Sequence, residues 1–265
     1  MSAAGVESTA AGEPMLVSNR FQGRRVLLTG AGSGIGRATA VRLVAEGAQV
    51  VGVDRDAAGL EATVAACAGA GSISTAVCDV TVEAEVVAAV AGAVQTLGGL
   101  DVLVNVAGIH RTTPIETLSV DDLRALYEVN LVGTALFCRE AVANLSRGSA
   151  IVNVASLSAT QGNPYMTAYS ASKGAVLAFS ISLAAELVGR GIRVVPISPG
   201  QVATPLTAVV GPEAAHLDFS YFGRIRSLMG EAQPEQIAGV IAFAASDDAS
   251  YLTGAEIRVD GGSDI

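Results

Sequence analysis

The chain has 265 residues, 51% hydrophobic and 15% charged, and its 16 Lys and Arg against 25 Asp and Glu give a net charge of −9. An acidic chain with no basic patch offers nothing to the phosphates of nucleic acid or of anionic lipid, so neither is expected as a partner. Mean hydropathy is high, +0.50, yet no run of about 20 nearly continuous apolar residues predicts a spanning helix, and three widely spaced cysteines, Cys67, Cys78 and Cys138, suit a reducing, cytoplasmic setting better than a disulfide or thiol-metal framework.

Residues 1–20 lack the basic start and apolar core of a secretory signal and read as a flexible tail; no Pro/Ser-rich linker divides residues 21–265, which read as one domain. β-Branched runs at Val26–Leu28, Val50–Val53, Ile73–Val77, Val102–Val104, Ile151–Val154, Val194–Ile197 and Ile257–Val259 predict seven strands. Most lack polar alternation, and Ala/Leu/Val/Glu-rich segments with helical spacing lie between them. The pattern is that of an α/β fold: a doubly wound, seven-stranded parallel sheet with helices on both faces, whose ligands bind at the carboxyl ends of the strands.

The first strand runs into Thr29-Gly30-Ala31-Gly32-Ser33-Gly34-Ile35-Gly36, followed by a helix from near Ile35 to about Glu46. Glycines let the backbone turn tightly and approach a pyrophosphate, which the positive end of the helix then holds. The register is G-x-x-x-G-x-G rather than G-x-G-x-x-G. Asp54 closes the second strand 18 residues beyond Gly36, where a carboxylate accepts from adenosine ribose hydroxyls and repels a 2′-phosphate, favouring NAD over NADP. Arg55 follows directly and offers such a phosphate a partner. Asp79, after the third strand, lies where an adenine ring would rest, or serves as a helix N-terminal acid. A further helix is predicted over Val82–Val94.

Lys173 is the only lysine and stands four residues after Tyr169, a coincidence expected about 2% of the time with five tyrosines. Residues i and i+4 share a helix face, so an ammonium lies beside a phenol and favours its ionised form, which suits a general base. Ser156 follows the fifth strand and reaches the same cleft edge, where its hydroxyl can hold a substrate oxygen. Asn130 falls on the inner side of a helix defined by Leu123, Leu126, Leu131 and Thr134. The segment Ala175–Val188 is apolar nearly all round and needs a cover beyond its own sheet, which predicts a homo-oligomer, a dimer or a tetramer. The charge-free stretch 194–212 contains Pro196, Pro199, Pro205 and Pro212 and reads as strand, turn and loop. Pro196 removes a donor within a strand, which is tolerable only where that donor would be unpaired.

Together, Thr29–Gly36, Asp79-Val80, Asn105-Val106-Ala107-Gly108, Asn130, Ser156, Tyr169-Ser170-Ala171-Ser172-Lys173, Pro199-Gly200 and Asp260-Gly261-Gly262 resemble the short-chain dehydrogenase/reductase family from about Arg24 to Gly262. The resemblance implies a Rossmann-like fold and reversible oxidation of a secondary alcohol, with hydride passing to NAD. By it, Tyr169 is the acid/base, Lys173 binds the nicotinamide ribose and lowers the phenol pKa, Ser156 polarises the substrate oxygen, and Asn130 anchors a relay water. Gly30, Ser33, Gly34, Ile35, Gly36, Asp54, Arg55, Asp79, Val80, Asn105, Ala107, Gly108, Pro199 and Gly200 are expected along the cofactor with Tyr169 and Lys173, while Val202 and Thr204 face the carboxamide. Val106 stands where the family usually has a second Asn, and Val and Pro stand in the sixth strand where the family commonly has Asn and a small residue.

Residues 201–233 are expected as a substrate lid bearing Phe219, Tyr221 and Phe222; those rings suit an apolar or cyclic alcohol, loop packing accounts for them equally, and a sugar or polyol stays open. Ser158, Gln161, Tyr165 and Met166 are expected near the substrate, with His110 in reach. No metal is expected, since His110 and His216 are far apart and no Cys/His cluster exists. Two other readings are a 3-oxoacyl thioester reductase, which would ordinarily use NADPH, and a catalytically silent nucleotide-sensing or scaffold protein.

Overall fold

A computed structural model describes residues 16–208, 217–218, 220–221 and 227–263. Expectations placed on residues 1–15 and on His216, Phe219 and Phe222 lie outside the described residues. The strands are β1 (Arg25–Thr29), β2 (Gln49–Asp54), β3 (Ser72–Val77), β4 (Val102–Asn105), β5 (Ala150–Val154), β6 (Arg193–Pro199) and β7 (Ile257–Val259). They form one parallel sheet in the order β3-β2-β1-β4-β5-β6-β7, so the winding reverses between β1 and β4. The helices are α1 (Gly34–Ala45), α2 (Ala57–Ala66), α3 (Glu83–Leu97), α4 (Val120–Tyr127), α5 (Gly133–Val142), α6 (Thr167–Leu187), the short α7 (Pro205–Ala208) and α8 (Pro234–Ala245). The stretch read as strand, turn and loop after Val194 thus also holds the one-turn α7, which Pro205 begins with a preset φ and no N–H to lose.

The unalternating strand sequences follow from burial on both faces. Successive side chains point to opposite sides: Val26 and Leu28 pack with Leu43 and Val44 of α1 and Ile237 and Ile241 of α8, while Leu27 between them packs with Val86 and Val90 of α3 and Phe137 of α5. The two edge strands are the exceptions: every residue of β3 except Ile73 is exposed, and none of β7 is fully buried.

Pro196 satisfies the condition its sequence position imposes. Val194 sends its N–H and C=O toward Thr253 and Gly254, whereas Ile197 accepts from Ala155 on the β5 side. Alternation therefore turns Pro196 toward β7, one residue before the β7 ladder opens at Ile197↔Ile257, so no ladder bond is lost. Thr167–Arg190 is, among the described residues, the one helix long and apolar enough to cross a membrane by length and composition. Its inner face nevertheless buries Ser172, Lys173 and Ser180 beside Val176 and Ala184, as a helix over a sheet does.

Of the segment read as a tail, residues 16–20 are held by Glu46, which is fully buried at the end of α1. Its carboxylate pairs with Arg42 one turn earlier, accepts from Arg20 Nε at 2.6 Å and from the Val17 N–H at 3.1 Å. Deleting a buried carboxylate with two guanidinium partners removes the buried counter-charge that both share. Glu46→Ala is expected to lower the unfolding free energy by about 3 kcal/mol, read as a lower urea midpoint at unchanged slope.

Candidate active site

The crevice lies where the sheet order reverses, at the carboxyl ends of β1 and β4, the place where a doubly wound sheet leaves room for a ligand. A cavity of about 420 Å³ opens there. Two glycines permit the backbone that floors it. Gly30 has φ +71°, and a Cβ on it would come within 2.7 Å of the Ala107 nitrogen; a Cβ at Gly36 would meet the Gly30 carbonyl oxygen at 1.8 Å. The turn is fastened from the other side by Thr29, whose Oγ1 accepts the N–H groups of Val106 at 3.1 Å and Ala107 at 3.2 Å. Ser33, Gly34 and Ile35, at the start of α1, thus line the cavity. Such a cradle fits a dinucleotide pyrophosphate.

At one end the cavity is lined by Asp54, Arg55, Asp79 and Val80. Asp54 Oδ2 accepts from the Gly32 N–H at 2.9 Å and Oδ1 from the Asp56 N–H at 3.0 Å, which fixes the carboxylate between the glycine turn and the β2 exit. Asp79 accepts from the N–H and hydroxyl of Thr81 at 2.9 and 2.7 Å, bonds that hold its carboxyl below the usual carboxylate range. Asp79 therefore shapes the turn before α3 as well as lining the cavity.

At the other end α6 delivers Tyr169 and Lys173, and the β5 exit delivers Ser156. Tyr169 is 8% exposed and Lys173 4%. Lys173 Nζ donates to the Val154 carbonyl at 2.8 Å. Burial lowers its ammonium from 10.5 to about 8. Burial likewise pushes the Tyr169 phenol up, opposed by a hydrogen bond with Ser156. Desolvation is thus the largest influence on both groups in the protein alone, and the ammonium is turned toward the Val154 carbonyl. Ser156 Oγ also accepts from the Ser158 N–H at 3.2 Å, at the start of a 3-10 turn over Leu157–Ala159.

Asn130 sits in a single π turn, Glu128–Val132, between α4 and α5, an irregularity that often accompanies function. Fully buried, its amide accepts from the Ile109 N–H at 2.8 Å and donates to the Ile109 carbonyl at 3.1 Å and to Ser172 Oγ at 2.9 Å. Ser172 in turn donates to the Tyr169 carbonyl at 2.7 Å. The side chain of Asn130 thus braces the segment after β4 against the turn of α6 that carries Tyr169.

Pro199, Gly200, Val202, Thr204, Ala107 and Gly108 line the cavity as expected from their motifs. Asn105 does not. Its side chain is buried within the sheet layer, donating to Asn153 Oδ1 at 2.9 Å and toward Cys138, because alternation along β4 turns it to the α5 side. Ser158, Gln161 and Tyr165 also stand apart from this cavity. Gln161 donates to the Ser263 carbonyl at 3.1 Å. Tyr165, with φ +60°, ties two loops by accepting the Thr113 N–H on its carbonyl at 2.7 Å and the Asp218 N–H on its hydroxyl at 3.2 Å. Thr29 and Ser172, each inside a motif quoted from the sequence, act through hydroxyls that hold backbone groups, and Val154 acts through its carbonyl; the sequence assigned a role to none of the three. The three cysteines are free thiols, and burial pushes Cys138 up to about 12.

The depressed Lys173 is a stability cost kept at the site. Below about 8 both folded and unfolded chains carry the proton and the cost is full; between 8 and 10.5 the unfolded chain holds a proton that the folded one has lost, so rising pH relieves it. Lys173→Met is expected to abolish turnover yet raise the unfolding free energy at pH 7 by up to about 3 kcal/mol, with the gain shrinking as pH climbs from 8 toward 10.5 in parallel denaturation curves.

A family model described as enoyl-(acyl carrier protein) reductase matches residues 30–264. The chain is 38% identical over 247 residues to a 3-oxoacyl-(acyl-carrier-protein) reductase of Thermotoga maritima, covering 92% of this chain and 98% of the relative. It is 40% identical over 252 residues to a D-threitol dehydrogenase of Mycolicibacterium smegmatis, covering 93% and 95%. A solved short-chain dehydrogenase from Burkholderia cenocepacia J2315 in complex with NADP superposes with a TM-score of 0.84 at 32% identity, over 93% of this chain and all of the other. With a nicotinamide-sized cradle at the switch point and Tyr169, Lys173 and Ser156 at its far end, these likenesses place the chain in the short-chain dehydrogenase/reductase family, oxidoreductases that transfer hydride between a nicotinamide cofactor and an alcohol or ketone.

Proposed function

We propose that the chain is an NAD-dependent dehydrogenase of a secondary alcohol in which Tyr169 is the acid/base. The observation that carries this reading is the grouping of Tyr169, Ser156 and Lys173 at one end of a single cavity whose other end presents Asp54. Bound nicotinamide supplies the hydride acceptor. Ser156 Oγ, in contact with the phenol, positions the reacting oxygen, and Tyr169 Oη takes its proton as oxidation proceeds and returns one in reduction. Lys173, whose Nζ faces Gly108 as well as Val154, holds a ribose hydroxyl and its positive charge offsets the burial that keeps the phenol protonated. Asn130 serves the site by fixing the segment that carries Gly108 and Ile109.

Asp54 supports NAD: both carboxylate oxygens are anchored by N–H groups, so the charge stays where a 2′-phosphate would have to lie. Arg55 and the NADP bound in the Burkholderia structure keep the second cofactor as the competing choice. The 3-oxoacyl thioester reductase reading draws on the Thermotoga likeness, and Asp54 speaks against its customary cofactor. A silent scaffold would have no use for a buried lysine beside a buried tyrosine. Segment 201–233 is read as the lid; among its described residues Asp218 donates to the Tyr165 hydroxyl and the Ala203 N–H donates to Ala232. Ile181 and Val188, exposed on and just after α6, support a subunit interface of a cytoplasmic homo-oligomer.

Tyr169→Phe is expected to cut NADH formation from a secondary alcohol by about 100-fold or more while the dissociation constant for NAD, measured by quenching or calorimetry, stays near the parent value; undiminished turnover would end the assignment. Asp54→Ser is expected to raise the NADP-to-NAD ratio of kcat/KM by about tenfold, from the loss of one repulsive charge.

A further inference from the structure

Outside the residues that line the cofactor cavity, the structure sets one further polar side chain against the catalytic phenol. His110 stands edge-on against the Tyr169 ring, with centroids 4.7 Å apart and planes at 76°. Its Nδ1 is buried and has no hydrogen-bond partner in the protein, and the same holds for Thr113 Oγ1 and Asn163 Oδ1. None of the three hangs on a loose segment. Ile109, immediately before His110, has both its N–H and its C=O held by Asn130. Thr113 donates its N–H to the Tyr165 carbonyl at 2.7 Å. Asn163 donates through Nδ2 to Ser158 Oγ, and the Ser158 N–H reaches Ser156 Oγ.

Packing alone does not call for a histidine here. A phenylalanine would make the same edge contact with Tyr169 and would leave no buried nitrogen without a partner, an arrangement proteins otherwise avoid. The ring is neutral, since burial lowers its basicity, and a neutral imidazole presents one donor and one acceptor, the pair that a hydroxyl group matches. We propose that His110 Nδ1 binds a second hydroxyl of the substrate, on the carbon next to the carbinol served by Tyr169 and Ser156, so that the substrate class is a vicinal diol or polyol. This inference rests on the assignment of Tyr169 as acid/base, and it selects the polyol alternative over the apolar cyclic alcohol suggested by the aromatic residues of the lid.

The test compares 2,3-butanediol with 2-butanol, the same carbon chain with and without the neighbouring hydroxyl, in steady-state oxidation by the full chain. The wild type is expected to favour the diol in kcat/KM, and His110→Phe, which keeps the ring edge on Tyr169, is expected to lower the diol-to-alcohol ratio at least tenfold. His110→Gln, which restores a polar group, should recover part of that ratio. A ratio unchanged in His110→Phe overturns the proposal, as does a wild type that prefers 2-butanol; a merely structural role would depress both substrates together and leave the ratio where it was. Should His110→Phe fail to fold, the ratio in His110→Gln and the imidazole signal of the wild type decide. Only two histidines are present, so the His110 ring resonances can be followed as diol is added to the NADH-loaded protein: a saturable shift absent with 2-butanol supports the site, and no shift overturns it. If the wild type oxidises neither alcohol while the imidazole still responds to diol, the assignment of the reaction fails and the hydroxyl site stands.

Discussion

The site depends on keeping an ammonium and a phenol together out of water. Lys173 and Tyr169 lie on one face of α6, and that face is pressed against β5, where the Val154 carbonyl receives the ammonium. Burial alone penalises a charged lysine and a charged tyrosinate alike, so the pair is a reservoir of unfavourable electrostatics maintained by the packing of the rest of the domain. Everything near it serves to hold it: Ser156 contacts the phenol, Ser172 grips the Tyr169 carbonyl, and Asn130 links that serine to the segment behind β4.

The sheet provides the stiffness this requires. β1, β4, β5 and β6 are covered on both faces, with alternate residues of each strand entering two separate apolar layers. The ends of β1 and β4 diverge because the helices that follow them leave to opposite sides, and the glycine turn, braced by Thr29, occupies the gap. Charge is placed with similar economy. Glu46 holds Arg42 and Arg20 far from the crevice, while Asp54 and Asp79 are fastened by backbone and threonine donors at its rim.

His110 shows how a position outside the family motif acquires meaning from its neighbours. In the sequence it was one of two histidines, in reach of the site and otherwise a packing residue. In the structure it is the ring set against the Tyr169 phenol, with a nitrogen that the protein leaves unmatched.

The sequence by itself determined the seven strands, their parallel arrangement, the glycine turn and the Tyr169–Lys173 pairing, because each rests on local rules: strand runs buried on both faces, tight-turn glycines, and a helix repeat that brings i and i+4 together. It also stated the condition under which Pro196 is admissible. Only the tertiary structure decided which strand edge Pro196 faces, that Asn105 turns into the core rather than the crevice, that Asn130 braces Ile109, and that burial pushes the phenol up while Ser156 opposes it. Those outcomes depend on contacts between residues tens of positions apart and on how much water each group loses, and neither quantity is written in local spacing.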